Sequence, residues 1–204
     1  MHIDIKHLLK LQTSDGERRK RYLYVAIDRC SRSVHFAVRD DETGRSAIAF
    51  LREAAAAFPF QLTYALTDNR AAIPRRDVSE ADRGSCFTPA FAKACTGLGA
   101  QYRHTRPRTP QTNGMVERFN GPISSEVLGI NITSHRALEQ VLRGFNAAYN
   151  ARRQRVLDGR TPNQLVAEHL KATPELANPA PHGRAGPCDA TKVCLIADAA
   201  KEVL

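Results

Sequence analysis

RYLYVAIDRCSRSVHFAVRD, Arg21 to Asp40, sets two β-rich runs on either side of a polar turn at Arg29 to Ser33. Apolar, β-prone runs bounded by turn formers predict a hairpin. Upstream, HIDIKHLL (residues 2–9) alternates in the same way and predicts a strand beside it. Downstream the period changes. Ala47, Phe50, Leu51, Ala54 and Phe58 form one stripe within Thr43 to Phe58, which predicts a core-facing helix. QLTYALTD (61–68) then predicts a short strand ending at Asp68, and the polar stretch Asn69 to Ser85 predicts a loop. Phe87 to Leu98 returns to helical spacing and stops at Gly97 and Gly99, and AQYRHT (100–105) predicts another brief strand. A second helical region runs in segments from about Gln111 to about Arg155, interrupted at Gly121-Pro122 and at Gly129 to Thr133. Thr161 followed by Pro162 opens a closing helix. Strands first, then alternating helix and strand, imply an α/β sheet with helices on both faces.

The 204 residues fit one domain with a short appendage: a core over 1–170 and a Pro/Ala-rich linker and terminal segment over 171–204, the linker composition running from Thr173 to Pro187. No apolar run approaches the length needed to cross a bilayer, and the first residues lack the pattern of a secretory leader. Five scattered cysteines without a C-x-x-C pair suggest reduced thiols, hence a cytoplasmic location. The histidines and cysteines show no zinc spacing. Lys plus Arg number 30 against 21 Asp plus Glu, a net charge of +9, which suits a polyanionic partner.

Three acids sit where strands end or helices begin: Asp4 in HIDIK, Asp68 in LTDN, and Glu117 in TRPRTPQTNGMVERFNG (105–121). If the first strand and the strand ending at Asp68 are parallel neighbours, their carboxylates meet at one edge of the sheet, where open α/β sheets bind ligands. Glu117 would then come from across the cleft. Carboxylate oxygens are the hard ligands that Mg²⁺ or Mn²⁺ prefers, and such a cluster calls for a cation to offset its mutual repulsion. Taken singly, an Asp at a strand end is more often a turn or cap residue. Asp28 in VAIDRCSR has equal local credentials and is assigned to the hairpin turn, while Asp77, Glu80, Asp82, Glu126 and Glu139 are read as solvated. Arg103, Arg106, Arg108 and Arg118 flank the proposed site as phosphate contacts, Gln111 and Asn113 offer side-chain amides, and Lys6 shares the sheet face of Asp4.

HIDIK, LTDN and RPRTPQTNGMVERFNG, with VAIDRCSR and YNARRQRVLDGRTPNQL in support, resemble the catalytic core of insertion-sequence transposases related to retroviral integrases, the DDE group. The resemblance covers about residues 2–170. It implies a ribonuclease-H-like mixed five-stranded sheet flanked by helices on both faces. It also implies Asp4, Asp68 and Glu117 as metal-binding catalytic residues using Mg²⁺ or Mn²⁺. The expected reaction is nicking of double-stranded DNA at transposon ends and strand transfer into a target, by a homo-oligomer on DNA. Two features depart from the family pattern: Arg70 stands where Gly is expected, and Pro122 falls in the helix after Glu117. Related transposases carry a helix-turn-helix segment before the core, whereas three residues precede Asp4 here, so a truncated copy of reduced activity is expected. The alternatives are a catalytically silent DNA-binding remnant, or a nuclease of the same architecture without strand transfer.

Overall fold

The computed structural model describes residues 1–8, 11–12, 18–67, 86–105, 121 and 135–178. Five strands form one sheet: β1 (His2–His7), β2 (Tyr22–Ile27), β3 (Val34–Arg39), β4 (Tyr64–Thr67) and β5 (Gln101–His104). Their spatial order is β3-β2-β1-β4-β5. The first three are antiparallel, in register from His2↔Ile27 to His7↔Tyr22 and from Tyr22↔Arg39 to Ile27↔Val34. β4 joins β1 in parallel and β5 joins β4 in parallel, so the sheet is mixed. The two-residue strands Leu11–Gln12 and Arg18–Arg19 pair separately. Helices α1 (Gly44–Ala57), α2 (Pro89–Gly97), α3 (His135–Ala151) and α4 (Pro162–Ala172) complete the described regular structure with two short 3₁₀ turns.

Alternation along the strands divides the core in two. Ile3, Ile5, Tyr24, Ala26 and Ala65 pack with Ala47, Phe50, Leu51 and Ala54 of α1 and with Phe91 and Cys95 of α2. Leu23, Val25, Ile27, Val34 and Phe36 pack instead against Leu138 and Leu142 of α3. Helices therefore lie on both faces, as expected for an α/β sheet. Each fully buried large side chain contributes roughly 1.5–3 kcal/mol. The α1 stripe read from the sequence is the buried one, and Phe58 continues it beyond the helix, its N–H donating to the Ala54 carbonyl. Thr43 caps α1 by accepting from the Ser46 N–H at 3.2 Å. At α4, Thr161 accepts from the Gln164 N–H at 3.1 Å while Gln164 Oε1 accepts from the Thr161 N–H at 2.9 Å, a reciprocal capping box.

Two long-range ties were not apparent from the sequence. Asn150 Oδ1 accepts from the Val34 N–H at 2.9 Å and Asn150 Nδ2 donates to the Val34 carbonyl at 2.8 Å, so one amide clamps edge strand β3 to the end of α3. The composition of 173–187 reads as linker, but its first residues dock. Gln61 N–H donates to the Leu176 carbonyl, Asn178 N–H donates to the Pro59 carbonyl, and Asn178 Nδ2 reaches the Ala55 carbonyl at 2.9 Å. Backbone bonding overrides the Pro/Ala bias there. Residues 179–204, the 69–85 stretch expected as a loop, and most of the second helical region before His135 lie outside the described residues. No described helix is long and apolar enough to cross a membrane.

Asn150→Ala removes both bonds to Val34 and is expected to cost about 1–3 kcal/mol, read as a lower midpoint in chemical unfolding. Glu53 is held below the usual carboxylate range, first by its hydrogen bond with His35 at 3.1 Å and further by Arg39. A depressed carboxyl stabilises the fold above its unfolded pKa and loses that contribution as pH falls through the folded value. Glu53→Gln should therefore be less stable than the parent at neutral pH, with the difference vanishing in acid when unfolding is followed against pH.

Candidate catalytic face

Asp4 lies on β1, the central strand, paired with Val25. Ile3 and Ile5 on either side of it point into the α1/α2 core, so Asp4 and Lys6 share the opposite face with Val25 and Leu23. Both are half-buried. The expectation that Lys6 and Asp4 share a face therefore holds. Burial lowers the Lys6 pKa and the negative charge of Asp4 opposes that shift, so the ammonium sits within the carboxylate's field.

The β1/β4 register is His2↔Leu66 and Ile3↔Thr67, parallel, as the edge-of-sheet argument required. Asp68, the next residue of the chain, lies outside the described residues, as do Glu117, Arg70, Arg106, Arg108, Gln111, Asn113, Arg118 and Pro122. Of the proposed metal ligands, Asp4 alone is therefore placed. Among the described residues there is no group of three or more His, Cys, Asp or Glu able to hold a metal, a statement that does not reach the trio. The donor that is placed suits a hard divalent ion: a half-buried carboxylate on a rigid central strand.

Arg103 stands on β5 opposite Leu66, on the same sheet face as Asp4. Its guanidinium carbon lies 4.5 Å from the Tyr64 ring centroid, and its Nη2 donates to Gln101 Oε1 at 3.1 Å. Stacking and hydrogen bonding hold the cation in one orientation. On the other face, Thr67 Oγ1 and the Tyr102 hydroxyl are 2.9 Å apart, and the Tyr102 hydroxyl lies 3.3 Å from His104 Nδ1. The Thr105 N–H donates to the Thr67 carbonyl at 2.9 Å, so the end of β4 is held from side chain and backbone alike. Burial raises the Tyr102 pKa while its bond to Thr67 opposes the shift; the phenol stays protonated and able to donate. Sequence reading singled out neither Tyr64 nor the Thr67–Tyr102–His104 chain. The alternating Tyr102 and His104 in AQYRHT were the available signal.

Asp28 has the turn role expected of it. Its Oδ2 accepts from both the Ser31 N–H and the Ser31 hydroxyl at 2.7 Å, closing the hairpin loop. Glu139, read as solvated, lies 3.7 Å from Arg21.

A mixed sheet in the order 3-2-1-4-5, with helices on both faces and an acid at the centre of its first strand, defines a ribonuclease-H-like α/β domain. The sequence matches the integrase core domain family over residues 1–110, and a second integrase core domain description over 98–162. The chain belongs to the integrase core domain family. No curated protein matches it. Among solved structures it is similar to a chain of the simian T-cell lymphotropic virus intasome in complex with PP2A regulatory subunit B56 gamma, with 23% identity and a TM-score of 0.58. That likeness covers 91% of this chain and 58% of the other, so this chain spans less than two thirds of its neighbour's length.

Tyr102→Phe deletes the contacts to Thr67 and His104 and is expected to cost about 0.5–1.5 kcal/mol, measured by chemical unfolding. It should also raise hydrogen exchange at the Thr105 amide more than at β1 amides.

Proposed function

We propose that this chain is the catalytic core of a DDE transposase, which nicks double-stranded DNA at transposon ends and joins the freed ends to a target. Asp4, Asp68 and Glu117 hold Mg²⁺ or Mn²⁺ in this reading. The observation that carries it is the parallel register ending at Ile3↔Thr67: were the same register to run one residue further, Asp68 would fall beside Asp4. Two carboxylates from segments 64 residues apart in the chain would then share one cation. Family membership supports DNA integration as the class of chemistry.

Bound divalent ions would supply the Lewis acidity that activates a water or 3′-hydroxyl and stabilises the leaving oxygen. The chain's own residues position the substrate. Lys6 and the stacked Arg103, with Arg106, Arg108 and Arg118, hold phosphates on either side of the scissile bond. Gln111 and Asn113 add amide contacts. Displacement is in-line at phosphorus: the attacking oxygen bonds as the 3′ oxygen departs, and no covalent protein intermediate forms. Two ends must be brought together, which calls for a homo-oligomer on DNA. The core extends over 1–170 in this reading, with 171–204 as an appendage.

Arg70 and Pro122 favour the silent remnant as the second reading, since an arginine there brings a cation to compete for the carboxylates. Mn²⁺ titration separates the two. The enzyme should bind the ion, cleave labelled transposon-end DNA and, given pre-nicked ends, form strand-transfer products. Asp4→Asn and Glu117→Gln should each abolish cleavage while leaving DNA affinity within about twofold, because a phosphate contact is not lost. Cleavage by either variant at the parental rate sinks the assignment of that carboxylate. Absence of Mn²⁺ binding in the parent leaves the remnant, and cleavage without joined products leaves the nuclease.

A further inference from the structure

A second basic surface lies at the end of the sheet where β1 begins, remote in sequence from the proposed DNA-contacting arginines. It is built from two elements. The β2–β3 loop carries Arg29 and Arg32, and the segment after α3 carries Arg152, Arg153 and Arg155. Asn150 joins the elements through its paired bonds to Val34, two residues beyond Arg32. The phenol of Tyr149, raised by burial, is drawn back by its bond with Gln154 and by the charges of Arg32 and Arg152, so one cation from each element acts on the same group.

The loop is rigid for reasons visible in its bonds. Asp28 N–H donates to the Ser33 carbonyl at 2.8 Å, Arg32 N–H donates to the Asp28 carbonyl at 3.1 Å, and Ser31 is buried against the Asp28 carboxylate. Arg32 closes it at φ 61°, a left-handed conformation that Gly or Asn enters at lower cost. An arginine is uncommon in this region of backbone space. Two acids stand against five arginines here. Asp28 keeps its charge while bonded to Ser31 and offsets one of the five cations, and Asp158 is exposed and lies 3.7 Å from Arg160, which also bonds Glu168 at 3.0 Å. Arg29, Arg153 and Arg155 are exposed. All five cations are arginines, whose planar fork matches phosphate oxygens better than lysine does.

We propose that this surface is a second phosphate track, on which a DNA duplex rests outside the reacting site. The inference takes DNA as the polyanion from the function proposed above, but not the catalytic roles of Asp4, Asp68 or Glu117. Ile27, the residue before the loop, pairs with His2, two residues from Asp4. The track therefore begins on the order of 10 Å along the sheet from Asp4, well within one turn of duplex at about 34 Å. One duplex can engage both. The contacts are to backbone phosphate and carry no sequence preference.

The test is the combined variant Arg29→Gln, Arg153→Gln, Arg155→Gln in the full chain. Arg32 is left alone because its backbone is strained, and Arg152 because it has other interactions. Binding of a fluorescent duplex of about 40 base pairs and arbitrary sequence is followed by anisotropy across salt concentrations. Each lost phosphate contact should flatten the slope of log affinity against log salt by about 0.9, so the triple variant should lose roughly two to three units of slope. Affinity at low salt should fall at least about tenfold. The corresponding Arg→Lys triple, which keeps the charges, should restore most of the slope. Unchanged slope and affinity in a Gln variant that unfolds at the parental midpoint overturn the proposal, as does equal loss in the Lys and Gln variants. Repeating the comparison on an Asp4→Asn background separates the two readings. A slope change that persists on that background supports the track whatever the fate of the catalytic reading, whereas a parent chain that binds the duplex with this slope and cleaves no DNA counts against the catalytic function alone.

Discussion

The parallel contact between β1 and β4 is short, two paired residues, and the rest of the architecture depends on it. His2↔Leu66 and Ile3↔Thr67 are reinforced by the Met1 amine donating to the Tyr64 carbonyl at 2.8 Å and by the Leu66 N–H donating to the Met1 carbonyl at 2.9 Å. Without that contact the hairpin strands would form an antiparallel sheet with β1 at its edge, and β4 and β5 would be cut off from it. α1 makes the contact possible by carrying the chain across one face and burying Phe50, Leu51 and Ala54 on the way. The register also fixes chemistry. Because side chains alternate with period two, a slip of one residue would exchange the faces of Thr67 and Leu66 relative to Asp4. Ala65 and Thr67, both fully buried, oppose such a slip.

The two faces divide the work. α1 and α2 cover the side of Ile3 and Ile5, whereas α3 packs on the other side against β2 and β3 through Leu138 and Leu142. That second face changes character from one strand to the next. Leu23 and Val25 are fully buried, while their partners on β1, Lys6 and Asp4, are half-buried and charged. Farther along, Arg103 is stacked on Tyr64. An apolar anchor beside a polar strip is the arrangement that fixes short charged side chains on a rigid support without sealing them from substrate.

How much of this was legible varies with the range of the interaction. The hairpin, the α1 stripe and the capping box at Thr161 are local, and periodicity or spacing encodes them. Asp28 and Asp4 looked alike as strand-associated acids, yet their neighbours in the chain differ. Asp28 has Ser31 three residues on, able to offer both N–H and hydroxyl, whereas Asp4 is enclosed by Ile3 and Ile5 in an uninterrupted alternation. The ties that could not be read join distant segments: Asn150 to Val34, 116 residues apart, and Thr67 to Tyr102, 35 apart. Residues 173–178 misled for another reason. Composition registers side chains, and that segment is held mainly through backbone groups at Gln61 and Asn178 and through the Asn178 amide.

The electrostatics of the described surface depend on where its acids are used. Asp28 is bound by Ser31, Glu42 by His7, Glu53 by His35 and Arg39, Asp40 by Arg21, and Glu168 by Arg160. Most of these carboxylates neutralise a neighbour, so the field met by a polyanion is set by the remaining arginines and not by the simple difference of 30 cations and 21 anions. Asp4 is in a different position from all of them. It lies in the interior of the central strand, where alternation with Ile3 and Ile5 fixes the face it shares with Lys6. Its negative charge acts on Lys6, whose pKa burial lowers. Both side chains are half-buried on a strand held from either side, and a charge in that position costs more than one in open water unless an opposite charge stands near it.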